Sequence, residues 1–510
     1  MTERPTTAGR SWLPDIIAGL SVAFIVVPQG MAYAELAGLP AYTGLYAAAL
    51  PPLAAAFAAS SRYLQTGPVA MTSLLTFGAL AGMAPPGSPE YIGLALLLAL
   101  LVGAIRLMLG VVHGGAISRF MSHPVVLGFT SGAAILIIGS QVALAFGVVD
   151  VPDSLLERLF TVLTSPAEWE PQAVALSVVT AGLVLGGRKL SPLVPGALAA
   201  VLVGLAFGSW GDYSAPVVGA IPEGFPPFSL ELPWSRLPSL LVPAAIIAII
   251  GFAEPTAIAR TLAARDRERW DPSRELVSQG LANLAAGLSG GFPVGGSFSR
   301  SSVAKLAGAR TRWNGAVTGL AVLLFTPIAG VLSDLPRAVL GAIVIVAVIP
   351  LVRIPEMMRL TRASWGQAAV AWVTLAATLA LSPRIDIAVL VGVGLAAIVH
   401  IYRESSRFVV RSEFQPPLLR VIPVGVLFYG SADALGDALN TQLAENPQAT
   451  GVVLSLERLG RIDHSGMVAL RDFAREVREA GLTISVERVP RHVQGIWDRV
   501  GGIGPESGTT

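Results

Sequence analysis

The chain of 510 residues contains no cysteine, only five histidines and few charged residues, which make up 13% of the total. The lack of cysteine excludes disulfide bonds and thiol chemistry, although it does not reveal the redox compartment. The histidines form no H-x-x-H-like cluster, so the sequence gives no reason to expect a structural zinc site or another metal centre. A soluble domain usually carries about 25% charged residues, and so low a charge content points away from an ordinary soluble protein.

Long apolar runs dominate what the sequence does contain. Hydrophobic residues make up 53% of it, and runs of about 17–25 apolar residues, the length of a membrane-spanning helix, recur along most of the chain. We therefore predict a polytopic α-helical membrane protein in a lipid bilayer, and a net charge of +2 gives no reason to expect a nucleic-acid partner. No signal peptide is visible in the polar N-terminus. The predicted segments lie near residues 14–34, 42–59, 67–83, 91–112, 124–147, 171–187, 192–208, 237–260, 274–290, 297–308, 313–332, 336–352, 364–382 and 385–402.

After about residue 405 the pattern changes to short β runs that alternate with amphipathic helices. The runs VGVLFYG, GVVLSL and LTISVE, with helical stretches between them, predict a small α/β domain. The predicted organisation is a cytoplasmic N-terminus (1–13), a transmembrane domain (14–404), a linker (405–415), the α/β domain (416–500) and a disordered tail (501–510).

Lys and Arg residues indicate the orientation of the membrane part. If the N-terminus is inside and the segments alternate, most of these residues, Arg106 among them, fall in inside loops, whereas the outside loops hold only Arg158, Arg236, Arg337 and Arg384. Such a bias is the positive-inside rule. It predicts cytoplasmic termini and a cytoplasmic α/β domain, and we expect the bacterial inner membrane.

An internal repeat is visible between the two halves. The first segment contains AFIVVPQGMAYAELA and the eighth AIIGFAEPTAIARTLA, an alignment that sets Gln29 opposite Glu254. About 40 residues later each half has a Gly/Pro break, LQTGPVAMTSLL (64–75) and FPVGGSFSRSSV (292–303). Seven segments separate the copies, so the second copy is inverted in the membrane. Inverted repeats with paired broken segments are typical of secondary transporters.

The two breaks predict an anion site. Unpaired backbone inside a membrane protein is tolerated only against protein or a water-filled cavity, and a helix N-terminus offers free N–H donors and about half a positive charge. Two such N-termini that face each other would bind an anion. The residues predicted to line the site are Thr66, Gly67, Val69, Ala70 and Met71 at one end and Gly296, Ser297, Phe298, Ser299 and Arg300 at the other.

Two of these features have simpler explanations. Arg300 could extend to the cytoplasmic interface, since Lys305 and Arg310 follow it, but a cation in mid-membrane costs about 2.5–3.5 kcal/mol and needs a reason. The Gly67–Pro68 pair could be a plain kink, but the matching break in the other half favours a functional role.

Glu254 lies deep in an apolar segment, where an acid is a functional candidate by default. It could pair with Arg300, hold a coupling proton, help to bind Na⁺, or belong to a structural polar network. Gln29 and Tyr33 are neutral hydrogen-bonding residues at the corresponding place in the first segment, so they join the predicted substrate site.

Two stretches resemble a known family. VPQGMAYAELAGLPAYTGLYAA (27–48) is similar to the signature of the sulfate-permease (SulP) anion transporters, and VVLSLERLGRIDHSGMVAL (452–470) resembles the core of a STAS domain. The resemblance implies fourteen segments in two inverted seven-segment repeats (about 14–208 and 237–402), core and gate domains, and a homodimer. It also implies a substrate site between segments 3 and 10, flanked by segments 1 and 8. In related STAS proteins a D-S-S-G loop carries a phosphorylatable serine; here the loop is Asp463 to Gly466, so Ser465 is a candidate phosphorylation site, and a cytoplasmic protein is a candidate partner.

We therefore expect a secondary active transporter of small anions, without a cofactor. Sulfate, bicarbonate, chloride and small dicarboxylates all remain open as substrates. Glu254 favours proton-coupled symport over sodium coupling or anion exchange, because a buried carboxyl group takes a proton more readily than an exposed one. A membrane sensor or scaffold that signals through the STAS domain is the alternative of another class, and a nucleobase carrier of similar fold is the nearest transport rival. An enzyme is not expected, since no nucleophile–base pair stands out.

Overall fold

The computed structural model divides the chain into two compact units, Met1–Val393 and Gly394–Thr510. The structure describes residues 12–115, 122–149, 151–152, 154–191, 193–210, 213–228, 231–406, 408–428 and 431–500. Residues 1–11 of the predicted N-terminal segment and the whole predicted tail, 501–510, lie outside the described residues.

The first unit is built of α-helices, as the apolar runs predict. Those of the first half are α1 (Leu13–Leu36), α2 (Tyr42–Ala58), α3 (Ala70–Leu80), α4 (Pro89–Val111), α5 (His123–Phe146), α6 (Leu155–Thr164), α7 (Pro171–Leu190) and α8 (Gly196–Trp210). Those of the second half are α9 (Leu237–Asp266), α10 (Pro272–Leu288), α11 (Phe298–Leu306), α12 (Trp313–Phe325), α13 (Arg337–Val348), α14 (Ile354–Ala363), α15 (Trp365–Ala380) and α16 (Ile385–Ser406), whose last residues, from Gly394 on, belong to the second unit. By length and composition, eight helical stretches of the described chain can cross a membrane.

Each predicted hydrophobic segment coincides with one of these helices, and the predicted fold class is confirmed. Two further helices, α6 and α14, were not predicted, because each has only 10 residues and polar side chains interrupt its apolar ones. Both follow the fifth segment of their own half of the chain. Their equivalent positions agree with two repeats of the same design.

Helix packing within the first unit falls into two groups. Helices α1–α4 pack with α9–α12, and α5–α8 pack with α13–α15. These groups correspond to the core and gate domains that the resemblance implies. In the core group, α4 and α10 approach so closely that a Cβ atom at Gly103 would lie 2.6 Å from the backbone nitrogen of Leu284. Small residues allow such contact between membrane helices, and this contact fixes α10 and α4 beside the two breaks.

Two short strands lie at the breaks. Strand β1 (Gln65–Gly67) precedes α3, and β2 (Gly295–Ser297) precedes α11. They pair antiparallel, with Gln65 opposite Ser297 and Gly67 opposite Gly295. The pairing satisfies backbone groups that would otherwise be unpaired within an apolar environment.

The second unit is an α/β domain with a five-stranded sheet. Its elements are β3 (Val409–Gln415), β4 (Leu418–Leu427), α17 (Ala432–Glu445), β5 (Gly451–Ser455), β6 (Leu459–Ile462), α18 (His464–Glu479), β7 (Thr483–Glu487) and α19 (Arg491–Val500). The strand order is β3-β4-β5-β7, with β6 also paired to β4. Among the described strand pairs of this five-stranded sheet, β3 and β4 are antiparallel and the others are parallel. Buried side chains such as Leu419, Leu454 and Leu470 form its core.

The prediction of a linker at residues 405–415 is wrong. Helix α16 continues to Ser406, and β3 then pairs along its whole length with β4. Exposed and half-buried residues alternate along VVRSEFQ, as is typical of an edge strand with one exposed face. Three consecutive polar residues, Arg411, Ser412 and Glu413, interrupt the hydrophobic run by which the other strands were found.

Candidate functional site

The structure has a break at both predicted places, and it brings the two together. Because β1 and β2 are antiparallel, α3 and α11 leave the strand pair in opposite directions, and both N-termini point back toward it. The first N–H groups of a helix have no acceptor within the helix. The arrangement therefore presents two sets of free donors to the space beside the strand pair.

The two helix N-termini are capped differently. In α11, the Ser297 hydroxyl accepts a hydrogen bond from the backbone N–H of Arg300 at 3.5 Å and lies 3.4 Å from the Ser299 hydroxyl. In α3, the cap position is Val69, whose side chain offers no hydrogen bond. The N-terminus of α3 therefore has only its backbone to offer a ligand, whereas that of α11 adds hydroxyl groups.

Arg300 is fully buried, with 0% of its surface exposed. Its Nη1 atom donates a hydrogen bond of 2.8 Å to the carbonyl oxygen of Pro68, so the side chain reaches from α11 across to the break before α3. Its Nε and Nη2 atoms have no hydrogen-bond partner within the described residues. The alternative in which this side chain extends to the interface is wrong, and two charged donors remain free for a ligand.

Gly67 provides space for this guanidinium group. Its φ angle of +154° is one that residues with a side chain rarely adopt. A Cβ atom there would lie 3.4 Å from Nη2 of Arg300. The glycine is therefore required by the backbone turn, and a side chain at this position would be in van der Waals contact with the cation.

Residues from α1 and α9 flank the breaks. Gln29 and Tyr33 are buried in α1, and the Oε1 atom of Gln29 has no partner among the residues that the structure describes. Glu254 is half-buried in α9, and both it and Tyr33 interact electrostatically with Arg300. Four parts of the chain, α1, α9 and the two breaks, thus meet around one arginine.

The other predicted residues differ in what they offer. The Thr66 hydroxyl accepts a hydrogen bond of 2.7 Å from Gln279 of α10, which uses one lone pair of its oxygen and not its O–H donor. Gly296 packs against Leu64 and Pro255, which leaves only its backbone for a ligand.

Access to the site differs between the two helix N-termini. Val69 and Ala70 are buried and Met71 is half-buried, whereas Phe298 is 52% exposed and Ser299 is also exposed. The open side of the site therefore lies at the start of α11.

Two buried polar residues behind the site were not predicted from the sequence. Gln279 and Asn283 are fully buried on α10, and their spacing of four residues within an apolar segment could have revealed them.

The prediction that Arg106 lies in an inside loop is wrong: it is fully buried in α4 and donates to backbone carbonyl groups. Loop assignment from hydropathy failed there because one arginine near a helix end looks the same whether it faces water or protein.

In the second unit, Ser465 is exposed in the first turn of α18. Asp463 caps this helix, since its Oδ1 atom accepts a hydrogen bond of 2.8 Å from the backbone N–H of Gly466. The serine is accessible at a helix N-terminus, where a phosphate group would be electrostatically favourable.

Comparison with known proteins agrees with this architecture. The sequence profile described as "Sulfate permease family" matches residues 13–374, which include both breaks. The chain is 36% identical over 402 residues to "Sulfate transporter 4.1, chloroplastic" of Arabidopsis thaliana, a match that covers 76% of the chain and 58% of that relative. The chain thus spans little more than half the length of this relative. It is also 27% identical over 528 residues to the "Sodium-independent sulfate anion transporter" of Bos taurus, covering 93% and 85%.

The solved structure of the murine Solute Carrier 26 family member A9 anion transporter in the inward-facing state has the same fold. The TM-score is 0.87 at 21% identity, over 98% of this chain and 92% of that one. Because the family profile matches well over half of the residues, including the segment that carries Arg300, the chain belongs to the sulfate permease family.

Proposed function

We propose that this chain is a secondary active transporter of small anions, which binds its substrate between the N-termini of α3 and α11. The observation that carries the proposal is Arg300, a fully buried cation with two free donors between two helix N-termini. A buried charged donor without a hydrogen-bond acceptor is costly. An anion that accepts from Nε and Nη2 would offset this cost.

The substrate class follows from the same geometry. Free backbone N–H groups, the Ser297 and Ser299 hydroxyl groups and one guanidinium group are all hydrogen-bond donors that suit an oxyanion. Sulfate, bicarbonate and small dicarboxylates fit this description. Two relatives are named as sulfate transporters, so sulfate is the first anion to assay.

Transport by alternating access is the mechanism that two packed helix groups support. The substrate residues all belong to the core group, so rocking of this group against the gate group would carry the site from one side of the membrane to the other. We also propose a homodimer, cytoplasmic termini and a location in the bacterial inner membrane. The STAS domain would dock a cytoplasmic protein, and phosphorylation of Ser465 would regulate that contact.

Uptake of labelled sulfate into proteoliposomes tests the function. Time-dependent accumulation inside the vesicles supports a transporter, whereas binding without uptake would favour a sensor that signals through the STAS domain. Competition by unlabelled anions then identifies the preferred substrate. The relatives are transporters, which supports a role other than an enzyme.

For coupling, we propose proton symport through Glu254. An anion that enters against an inside-negative potential costs about 2.3 kcal/mol per charge per 100 mV. Glu254 is half-buried and interacts electrostatically with Arg300, and protonation would remove its negative charge from the neighbourhood of the anion. The bovine relative is named sodium-independent, which supports protons over sodium. Anion exchange is the remaining alternative.

Uptake driven by an imposed inward proton gradient tests the coupling. We expect the gradient to stimulate the wild type but not Glu254→Gln. The matched control is Glu268→Gln, whose partly exposed side chain pairs with Arg62 at 2.8 Å away from the site. If wild-type uptake ignores the gradient, or if Glu254→Gln still responds to it, Glu254 does not couple transport to protons and a structural role is the better explanation.

A further inference from the structure

Arg106 makes a set of contacts that the proposed function does not explain. The side chain is fully buried in α4, and each of its three nitrogen atoms donates to a different backbone carbonyl group. Nε donates to Ala248 at 3.1 Å, Nη2 to Ile247 at 3.0 Å and Nη1 to Val294 at 3.0 Å. Because a carbonyl oxygen has two lone pairs, the α9 carbonyl groups can accept these bonds in addition to their helical ones. One side chain of α4 thus joins α9 to the residue before β2.

Asn283 of α10 also fixes the backbone of Val294. Its N–H donates to Oδ1 of Asn283 at 2.9 Å, and its carbonyl oxygen accepts from Nδ2 of the same residue at 3.1 Å. Both backbone groups of Val294 are therefore fixed immediately before β2, whose last residue, Ser297, caps α11. A shift of Val294 would displace the N-terminus of α11.

Gly251 leaves space for the guanidinium group on α9. A Cβ atom at this position would lie 2.6 Å from Nη2 of Arg106, closer than two such atoms can approach. Gly251 is one helical turn after the bonded carbonyl groups and three residues before Glu254. The contact with Arg106 therefore lies on the stretch of α9 that carries the predicted coupling residue.

We propose that Arg106 is a positioning residue for anion binding. It fixes α9 and the start of β2 relative to each other, so that Glu254 and the N-terminus of α11 are held at one site. The planar guanidinium fork suits this task because it holds three acceptors in fixed directions, which the single ammonium group of lysine cannot do. The inference rests on the proposed function, because it concerns the affinity of the same anion site.

The experiment compares anion affinity in three purified variants. Arg106→Lys keeps the charge but loses the fork. Gly251→Ala keeps the arginine but pushes Nη2 away from its acceptor, and its methyl group also lies 3.2 Å from Cγ2 of Thr72 on α3. We expect each to raise the Kd for sulfate about tenfold or more in folded, monodisperse protein, since a misplacement of about 1 Å can cost up to 100-fold. The double variant should be little worse than either single one, because both changes act on one contact. The matched control is Gly182→Ala on α7, where a Cβ atom meets nothing within 4 Å, and its Kd should be unchanged.

Each outcome has a distinct meaning. A purely structural role would lower the melting temperature but leave the Kd of the surviving folded protein within twofold of wild type, and that result for both variants would overturn the proposal. If Arg106→Lys does not fold, Gly251→Ala decides in a Thr72→Ser background, where the added methyl group no longer meets Cγ2 of Thr72 and presses on Arg106 alone. Failure of the wild type to bind or transport any anion would instead refute the proposed function.

Discussion

Replacement of Arg300 by glutamine is the change that most directly tests the anion site. The variant removes the positive charge and the two free donors, Nε and Nη2, and it keeps a side chain of similar polarity. It also removes the 2.8 Å hydrogen bond to Pro68, which connects the two breaks. The loss therefore affects substrate binding directly and the arrangement of the site to a smaller extent.

The expected magnitude follows from the number of donors. A hydrogen bond that involves a charged group contributes about 1.5–3 kcal/mol, so two such bonds to an anion contribute about 3–6 kcal/mol. Glutamine restores one neutral donor at best, and the lower end is the safer expectation. A loss of about 3 kcal/mol corresponds to binding that is weaker on the order of 100-fold, since each 1.4 kcal/mol is a factor of ten.

The assay is sulfate uptake into proteoliposomes at a series of concentrations, together with binding to the purified protein. Lys305→Gln is the matched control, because it removes a cation from the same helix, α11, where Lys305 pairs with Asp266 away from the strand pair. We expect the control to retain wild-type affinity. If folded Arg300→Gln transports sulfate with unchanged affinity and selectivity, the cation does not bind the substrate and the site must lie elsewhere.

Three further predictions concern other residues of the site and one buried ion pair. Gly67→Ala and Gly82→Ala both place a side chain at a positive φ angle, +154° and +80°, and each should destabilise the protein by about 1–2 kcal/mol. Only Gly67→Ala should abolish sulfate uptake, because a Cβ atom at Gly82 would have nothing within 4 Å. Ser297→Leu should block uptake while the protein still folds, as judged by size-exclusion chromatography, and full activity would place this residue off the pathway. Arg337→Gln should lower the free energy of unfolding by about 1–3 kcal/mol, because it leaves the Glu35 carboxylate, only 5% exposed, without its partner at 2.6 Å. The double variant Arg337→Gln/Glu35→Gln should regain most of the lost stability in a thermal unfolding assay.

The two breaks could be predicted from the sequence because Gly and Pro within apolar runs have few explanations. The segment boundaries shifted by a few residues: the predicted stretch 67–83 corresponds to α3 (Ala70–Leu80), and its first residue, Gly67, belongs to β1 and pairs with β2 before the helix begins. The pairing of β1 with β2 could not be derived, because more than 200 residues separate them and three-residue strands have no pattern of their own. Arg300 could be singled out as a lone cation, but its bond to Pro68 depends on how the two halves approach each other.

Residues outside the breaks were harder to place for a different reason. Arg106 and Arg337 both lie near helix ends, where hydropathy assigns any arginine to a loop. In the structure one binds three backbone carbonyl groups and the other pairs with a buried glutamate. A single sequence records the residue type and its distance from an apolar run, whereas burial depends on which helix packs beside it. Charges near helix ends are therefore the least reliable part of an orientation argument.

The two halves of the first unit have the same arrangement of helices and breaks, but they supply different side chains to the site. The first half supplies Gly67, Pro68 and Val69 at its break and a neutral Gln29 in its flanking helix, whereas the second half supplies Ser297 and Arg300, and Glu254 in the equivalent place. Both charged groups of the site thus come from the second half. The hydrogen bond from Arg300 to Pro68 crosses this divide, so the backbone of the first half orients the cation of the second. In the proposed site, a symmetric scaffold with an asymmetric charge distribution would give one anion a defined place between two equivalent helix N-termini, because the helix dipoles alone would hold it equally well at either end.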